Sequence, residues 1–131
     1  PVAAPLPGAV FNPRLDHGDE AVLKVQHWLQ ARAGRATSVS DMAGHAGLEE
    51  RTFLRRFKAA TGMKPIEYVQ HLRVGKAREL LEFTRRSVDQ IAWSVGYEDA
   101  AAFRRVFHRI LGLSPGEYRS RFSSSSAMAA A

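Results

Sequence analysis

The chain of 131 residues contains no cysteine. That excludes disulfides, cysteine-ligated zinc and cysteine nucleophiles, and it fits a reducing compartment. No apolar run approaches the roughly 20 residues that a membrane-spanning helix needs, and the start lacks a signal-peptide pattern. These absences lead to the expectation of a soluble, cytoplasmic protein with no membrane partner. There is no Gly-rich phosphate loop and no Ser/His/Asp pattern. The five histidines, His17, His27, His45, His71 and His108, show no metal-ligand spacing. No catalytic residue, no metal and no cofactor is expected, and the histidines read as surface or capping residues. Ser114-Pro115 and Lys64-Pro65 read as helix-start punctuation rather than as a nucleophile. No stretch alternates convincingly as a strand, so the expected fold class is all-α.

What the chain does have is a repeat. Phe57, Gly62, Pro65, Glu67 and Tyr68 recur as Phe107, Gly112, Pro115, Glu117 and Tyr118. Upstream of each set lies Ala-x-x-x-Gly, Ala43 to Gly47 and then Ala92 to Gly96, with one extra residue in the second copy before Phe107. Each copy reads as a short helix, a glycine turn and a second helix with arginines on one face. That is the outline of a helix-turn-helix. Lys plus Arg is 19 and Asp plus Glu is 13, giving a formal charge of +6 and a pI near 10.3. The excess suits a polyanionic partner, and the mixing of signs suits a folded domain better than a basic tail.

Residues 1–15 hold four prolines and no periodicity, and read as a linker or N-terminal extension. Residues 123–131 form a Ser/Ala tract that reads as a disordered or vector-derived tail. Between them, residues 16–83 read as one helix-turn-helix subdomain with a connecting helix, and 84–122 as a second. Asp16 or Asp19 caps a first helix with Val22, Val25 and Leu29 on one face and Trp28 beside them; it ends near Arg32 to Gly34. A second runs from about Val39 to His45 behind Ser38, a third from Glu50 to Ala60, and a long fourth from Pro65 to Phe83. The stripe of the fourth is Ile66, Val69, Ala77, Leu80 and Leu81, with Arg73 on it, a place that calls for a structural ion pair. The fifth follows Ser87 and ends at Gly96, the sixth covers Asp99 to Leu111, and the last covers Pro115 to Phe122. Trp28 and Trp93 read as core.

The third helix turns Phe53, Phe57 and Ala60 inward and Arg51, Leu54, Arg55 and Lys58 outward. The sixth turns Phe103, Val106, Phe107 and Ile110 inward and Ala100, Ala101, Arg104, Arg105 and His108 elsewhere. An arginine fork can donate two parallel hydrogen bonds to guanine O6 and N7. Small or apolar residues admit the backbone to the groove and touch a thymine methyl. A charged helical face is also what plain solvation produces. Two such faces, each behind a glycine turn, favour DNA.

With those residues read, the chain resembles the C-terminal DNA-binding domain of the AraC/XylS family of bacterial transcription regulators, over about Asp19 to Phe122. The signature is Ile91-Ala92, Val95-Gly96-Tyr97, Phe103, Arg105, Phe107, Gly112-Leu113-Ser114-Pro115 and Tyr118-Arg119. The first half matches through Ala43, Gly47-Leu48, Arg51-Thr52-Phe53, Arg55, Phe57, Gly62, Pro65 and Tyr68. The resemblance implies seven helices in two helix-turn-helix subdomains joined by the long fourth helix. The third and sixth would be recognition helices in successive major grooves of double-stranded DNA. Base contacts would fall on Arg51, Leu54, Arg55, Ala100, Ala101, Arg104 and Arg105. Phosphate contacts would fall on Ser38, Thr52, Lys58, Ser87, Ala102 and His108. RNA polymerase would be a further partner, and an inducer-binding domain would lie outside this segment. Glu49 and Glu98 stand where many members have a serine-type cap, and a carboxylate there repels phosphate. Pro13-Arg14-Leu15-Asp16-His17-Gly18-Asp19 with Trp28-Leu29 also resembles a subgroup carrying an amidotransferase-like sensor domain. DNA-repair methyltransferases with this kind of domain need a reactive cysteine, which is lacking. The readings of a different kind are a helical protein-interaction module that contacts polymerase or a partner regulator, and a recombinase DNA arm.

Overall fold

A computed structural model describes residues 11–32, 35 and 37–123. Among them are seven α-helices and no strand: α1 Glu20–Arg32, α2 Val39–Ala46, α3 Glu50–Thr61, α4 Pro65–Phe83, α5 Val88–Ser94, α6 Ala100–Leu111 and α7 Pro115–Phe122. The all-α expectation holds. Packing divides the chain inside α4, between Leu72 and Arg73, whereas the sequence suggested a boundary after Phe83. The reason is that the second half of α4 supplies Val74, Ala77 and Leu81 to the second core.

In the first unit α1 buries Val22, Val25 and Leu29, α2 buries Met42 and Ala43, and α3 buries Phe53, Phe57 and Ala60. Tyr68 of α4 closes this core at 1% exposure, while Ile66, placed on the stripe by sequence, is 49% exposed. Phe57 meets Phe53 at 5.5 Å and meets Tyr68 edge-on at 5.2 Å. In the second unit Ile91, Ala92 and Val95 meet Phe103, Val106, Phe107, Leu111 and Tyr118. Phe107 lies 5.7 Å from Phe103 and 5.7 Å from Tyr118, the latter near-perpendicular. The repeat in sequence is thus a repeat of aromatic geometry, and such pairs add to the area they bury.

The turns repeat as well. Gly47 has φ +71 and Gly96 φ +99. In each, the glycine N–H bonds three residues back and the next N–H reaches the alanine carbonyl: Leu48 to Ala43 at 3.1 Å, Tyr97 to Ala92 at 2.9 Å. This helix-ending motif needs a left-handed residue, which a β-carbon penalises. The extra residue of the second copy falls in the turn before α6. Ser38, Ser87 and Ser114 each accept from the backbone N–H three residues on, and Asp41, Gln90 and Glu117 return the bond. These capping boxes fix where α2, α5 and α7 begin.

Three expectations are corrected. Arg73 finds no carboxylate among the described residues. Its guanidinium lies over the Tyr97 ring, 5.1 Å from the centroid, and its Nε and the Tyr97 hydroxyl are buried without hydrogen-bond partners. The cation is met by a ring face instead of an anion. Trp93 is not core but 67% exposed. It stands two residues from buried Ile91, about 200° around the helix and so on the opposite side. Trp28 is half-buried, stacked on His45 at 4.5 Å with the Arg32 guanidinium over its ring. Ser123 is buried and its N–H bonds Arg119 O, so it ends α7 instead of opening the tail; the rest of that tract, and residues 1–10, lie outside the described residues.

The segment before α1 is tied down locally. Gln26, fully buried in α1, donates to Arg14 O and to the Tyr68 hydroxyl, and its Oε1 lies 2.7 Å from His17 Nε2. Asp19, not Asp16, caps α1 by accepting from the Val22 N–H. Its carboxylate also takes two hydrogen bonds from the Arg56 guanidinium of α3, at 3.0 and 2.8 Å. The Arg56 bonds are the chief reason the Asp19 pKa lies below its ordinary value of 3.8. A carboxyl depressed on folding stabilises the fold in full above about its unfolded pKa, and that contribution is lost as pH falls through the folded value. Asp19→Asn is therefore expected to lower stability at pH 7 and to flatten the acid limb of a urea-denaturation series between pH 5 and 2. An acid limb as steep as the parent's would contradict the assignment.

Candidate nucleic-acid interface

The roll of α3 is set by what it buries. With Phe53, Phe57 and Ala60 inward, steps of 100° turn Arg51, Leu54, Arg55 and Lys58 outward, and all four are exposed. Leu54 is 39% exposed, an apolar side chain left among cations. Arg56, next in sequence, turns to Asp19 and is part of the scaffold. Arg51, Arg55 and Lys58 make no ion pair with another described residue, so their donors are free for a ligand.

On α6 the inward set is Phe103, Val106, Phe107 and Leu111, with Ile110 half-buried at its edge. Ala101, Arg104, Arg105 and His108 are exposed. Ala100, expected to face outward, is half-buried and packs against the second core. Ala102 is half-buried. Arg105 makes no ion pair among the described residues. Arg104 does: its Nη2 lies 3.2 Å from Asp89 Oδ1 in α5. Neither periodicity nor a local motif signals that pair, because its members are on different helices.

The helix starts differ from the expectation in one place. The cap of α3 is Glu49, as expected, and it makes no side-chain bond to the helix amides; its Oε1 instead accepts from the Thr52 hydroxyl at 3.2 Å. The cap of α6 is Asp99, not Glu98, and its Oδ1 accepts from the Ala101 N–H at 2.9 Å. An aspartate directly before the first helical residue was the signal that could have found it. Ser38 and Ser87 accept within their capping boxes, which leaves each hydroxyl proton available to an outside acceptor. Among the described residues no cluster of His, Asp and Glu could hold a metal ion, and no helix is long and apolar enough to cross a membrane.

Comparison with known proteins agrees with this geometry. The profile of the family described as a helix-turn-helix domain matches residues 42–121. The DNA-binding domain of AdpA, solved in complex with a target DNA, is 34% identical with a TM-score of 0.76, covering 79% of this chain and 94% of that one. An AraC-type regulator from Chromobacterium violaceum superposes with a TM-score of 0.74 at 26% identity, over 79% of this chain and 93% of its own. The chain belongs to the AraC-type helix-turn-helix family. The HTH-type transcriptional activator RhaS of Escherichia fergusonii is 35% identical over 111 residues, 82% of this chain but 40% of its own length. The MmsAB operon regulatory protein of Pseudomonas aeruginosa is 39% identical over 80 residues, 61% of this chain and 26% of its own length. The chain therefore spans well under half the length of these curated relatives. RhaS is described as a transcriptional activator and AdpA as a global transcriptional factor.

The exposed arginines and the capping serines separate in their effect on folding. Arg51→Ala, Arg55→Ala and Arg105→Ala are expected to change stability by no more than about 0.5 kcal/mol. Ser87→Ala, which breaks a capping box, is expected to cost about 1 kcal/mol. Thermal or urea melts check both; a large loss in any of the three arginine variants would show that side chain to be part of the scaffold.

Proposed function

We propose that this domain binds double-stranded DNA sequence-specifically, each unit presenting one recognition helix, α3 or α6, to its own stretch of major groove in successive turns of the duplex. The observation that carries this reading is the free, outward guanidinium set Arg51, Arg55 and Arg105, rolled away from the buried aromatics. A relative that binds target DNA supports it. Arg51 and Arg55, one turn apart, donate to guanine edges; Leu54 and Ala101 contact thymine methyls; Arg104 and Arg105 read the second half-site. Ala100 lines the approach of the backbone. Lys58, His108, the Thr52 and Ala102 region and the hydroxyls of Ser38 and Ser87 hold phosphates, which set register and bulk affinity. The two acidic caps weaken the grip at the starts of α3 and α6.

As a whole protein this is a cytoplasmic transcription regulator whose remaining length holds an inducer-binding domain. Activation through RNA polymerase is the reading supported by relatives named as activators. Segment 13–19, which the sequence linked to an amidotransferase-like upstream domain, has a complete local role in seating α1 through Gln26 and Arg56. It carries no argument for that domain.

Fluorescence anisotropy on duplexes selected by the domain tests the reading. Affinity should fall steeply between about 50 and 200 mM salt if several phosphates are held, and the selected sites should be bipartite with halves about one helical turn apart. Arg55→Ala should weaken cognate binding by about 1–3 kcal/mol and relax preference at one base pair. Equal affinity of variant and parent, or no duplex binding at all, would overturn it in favour of a protein-interaction module.

A further inference from the structure

The two reading faces are not equivalent, and the difference lies in a contact between helices. Fifty residues on from Leu54 stands Arg104, and in the repeat Ser40 of α2 corresponds to Asp89 of α5. Among the described residues, only the second unit therefore pairs a reading-helix arginine with an acid on the preceding helix. Arg104 Nη2 and Asp89 Oδ1 are 3.2 Å apart, with side-chain exposures of 50% and 61%. A pair so open to water adds little to stability, so its consequence is for where the guanidinium points. One of its five N–H donors is engaged by the carboxylate, and the other four stay free. Its neighbour Arg105 has no such tether.

We propose that Asp89 is a positioning residue that sets the base preference of Arg104; the inference rests on the DNA-binding reading above. An untethered arginine beside a duplex can swing to the nearest phosphate, which carries no sequence information. Held against α5 by Asp89, Arg104 has fewer conformations to lose on binding and presents its fork in one direction, which favours a base edge. The carboxylate adds discrimination of its own kind. Near a polyanion it is tolerated while Arg104 neutralises it, and it makes the move of Arg104 to a phosphate unfavourable because that move leaves the anion unpaired.

The rival explanation is local to α5. An acid in the first turn of a helix is favoured by the helix dipole, and any anion near DNA lowers affinity. A double-mutant cycle separates the two. The full chain, Asp89→Asn, Arg104→Ala and the double variant would each select from a randomised duplex library, with binding of a random-sequence duplex followed across a salt series. The expected result is a parent preference of about tenfold or more at the base pair read by Arg104, lost in large part in Asp89→Asn. Binding of the random duplex should become tighter and its salt slope steeper by about one phosphate. Adding Asp89→Asn to Arg104→Ala should leave base preference unchanged, and Asp89→Glu, which keeps the charge, should retain much of the parent's preference. Should Asp89→Asn lose its helical circular dichroism signal, Asp89→Ser removes the same charge and takes its place. A gain in affinity that is equal in both backgrounds, with preference intact, would overturn the proposal and leave DNA binding standing. Failure of the parent to bind any duplex would overturn both.

Discussion

Each unit depends on one edge-on aromatic contact, Phe57 with Tyr68 in the first and Phe107 with Tyr118 in the second. The phenylalanine belongs to α3 or α6 and the tyrosine to the helix after it, so the contact fixes how α3 and α6 are rolled. The left-handed glycine fixes how each is approached from the preceding helix. Both tyrosine hydroxyls are anchored in turn, Tyr68 by Gln26 and Tyr118 by Glu82 at 2.6 Å and Arg78 at 3.1 Å. Burial raises the pKa of both phenols. Loss of either ring would leave a large void and free the helix to turn, and the outward face would lose its definition.

From that roll follows a division among the arginines. Arg56 pairs with Asp19, Arg73 lies over Tyr97, Arg78 bonds the Tyr118 hydroxyl, and Arg119 donates to the carbonyls of Leu81 and Thr84. These guanidinium groups hold the fold together. Arg51, Arg55 and Arg105 are turned to solvent with their donors unspent, and Arg104 stands between the two classes, outward but tethered. A net charge of +6 says only that cations are in excess; the packing decides which of them can meet a partner.

Much of this was legible in the chain. The repeated Phe, Gly, Pro and Tyr positions mark equivalent places in the two cores, and the inward faces of α3 and α6 follow from helical spacing. The core of α4 does not. A helix that gives Tyr68 to one core and Val74, Ala77 and Leu81 to another has no single apolar stripe, and a stripe drawn through Ile66 averages two different faces. For Trp93 the reason is simpler: its size suggests burial, while its position opposite buried Ile91 requires exposure. Arg73 was expected to find an acid because a buried cation needs compensation, and an aromatic face supplied it. The contacts of Asp89 with Arg104 and of Asp19 with Arg56 join residues on different elements and leave no periodic trace.

The central claim is that packing sorts the arginines into those that hold the fold and those that face a ligand. Titration of the labelled domain with a duplex it has itself selected, followed through the arginine Nε–Hε resonances, tests this most directly. The Arg51, Arg55 and Arg105 signals are predicted to shift strongly while those of Arg56, Arg73 and Arg78 stay in place. Large shifts in Arg56 or Arg78 with Arg51, Arg55 and Arg105 unmoved would contradict the account.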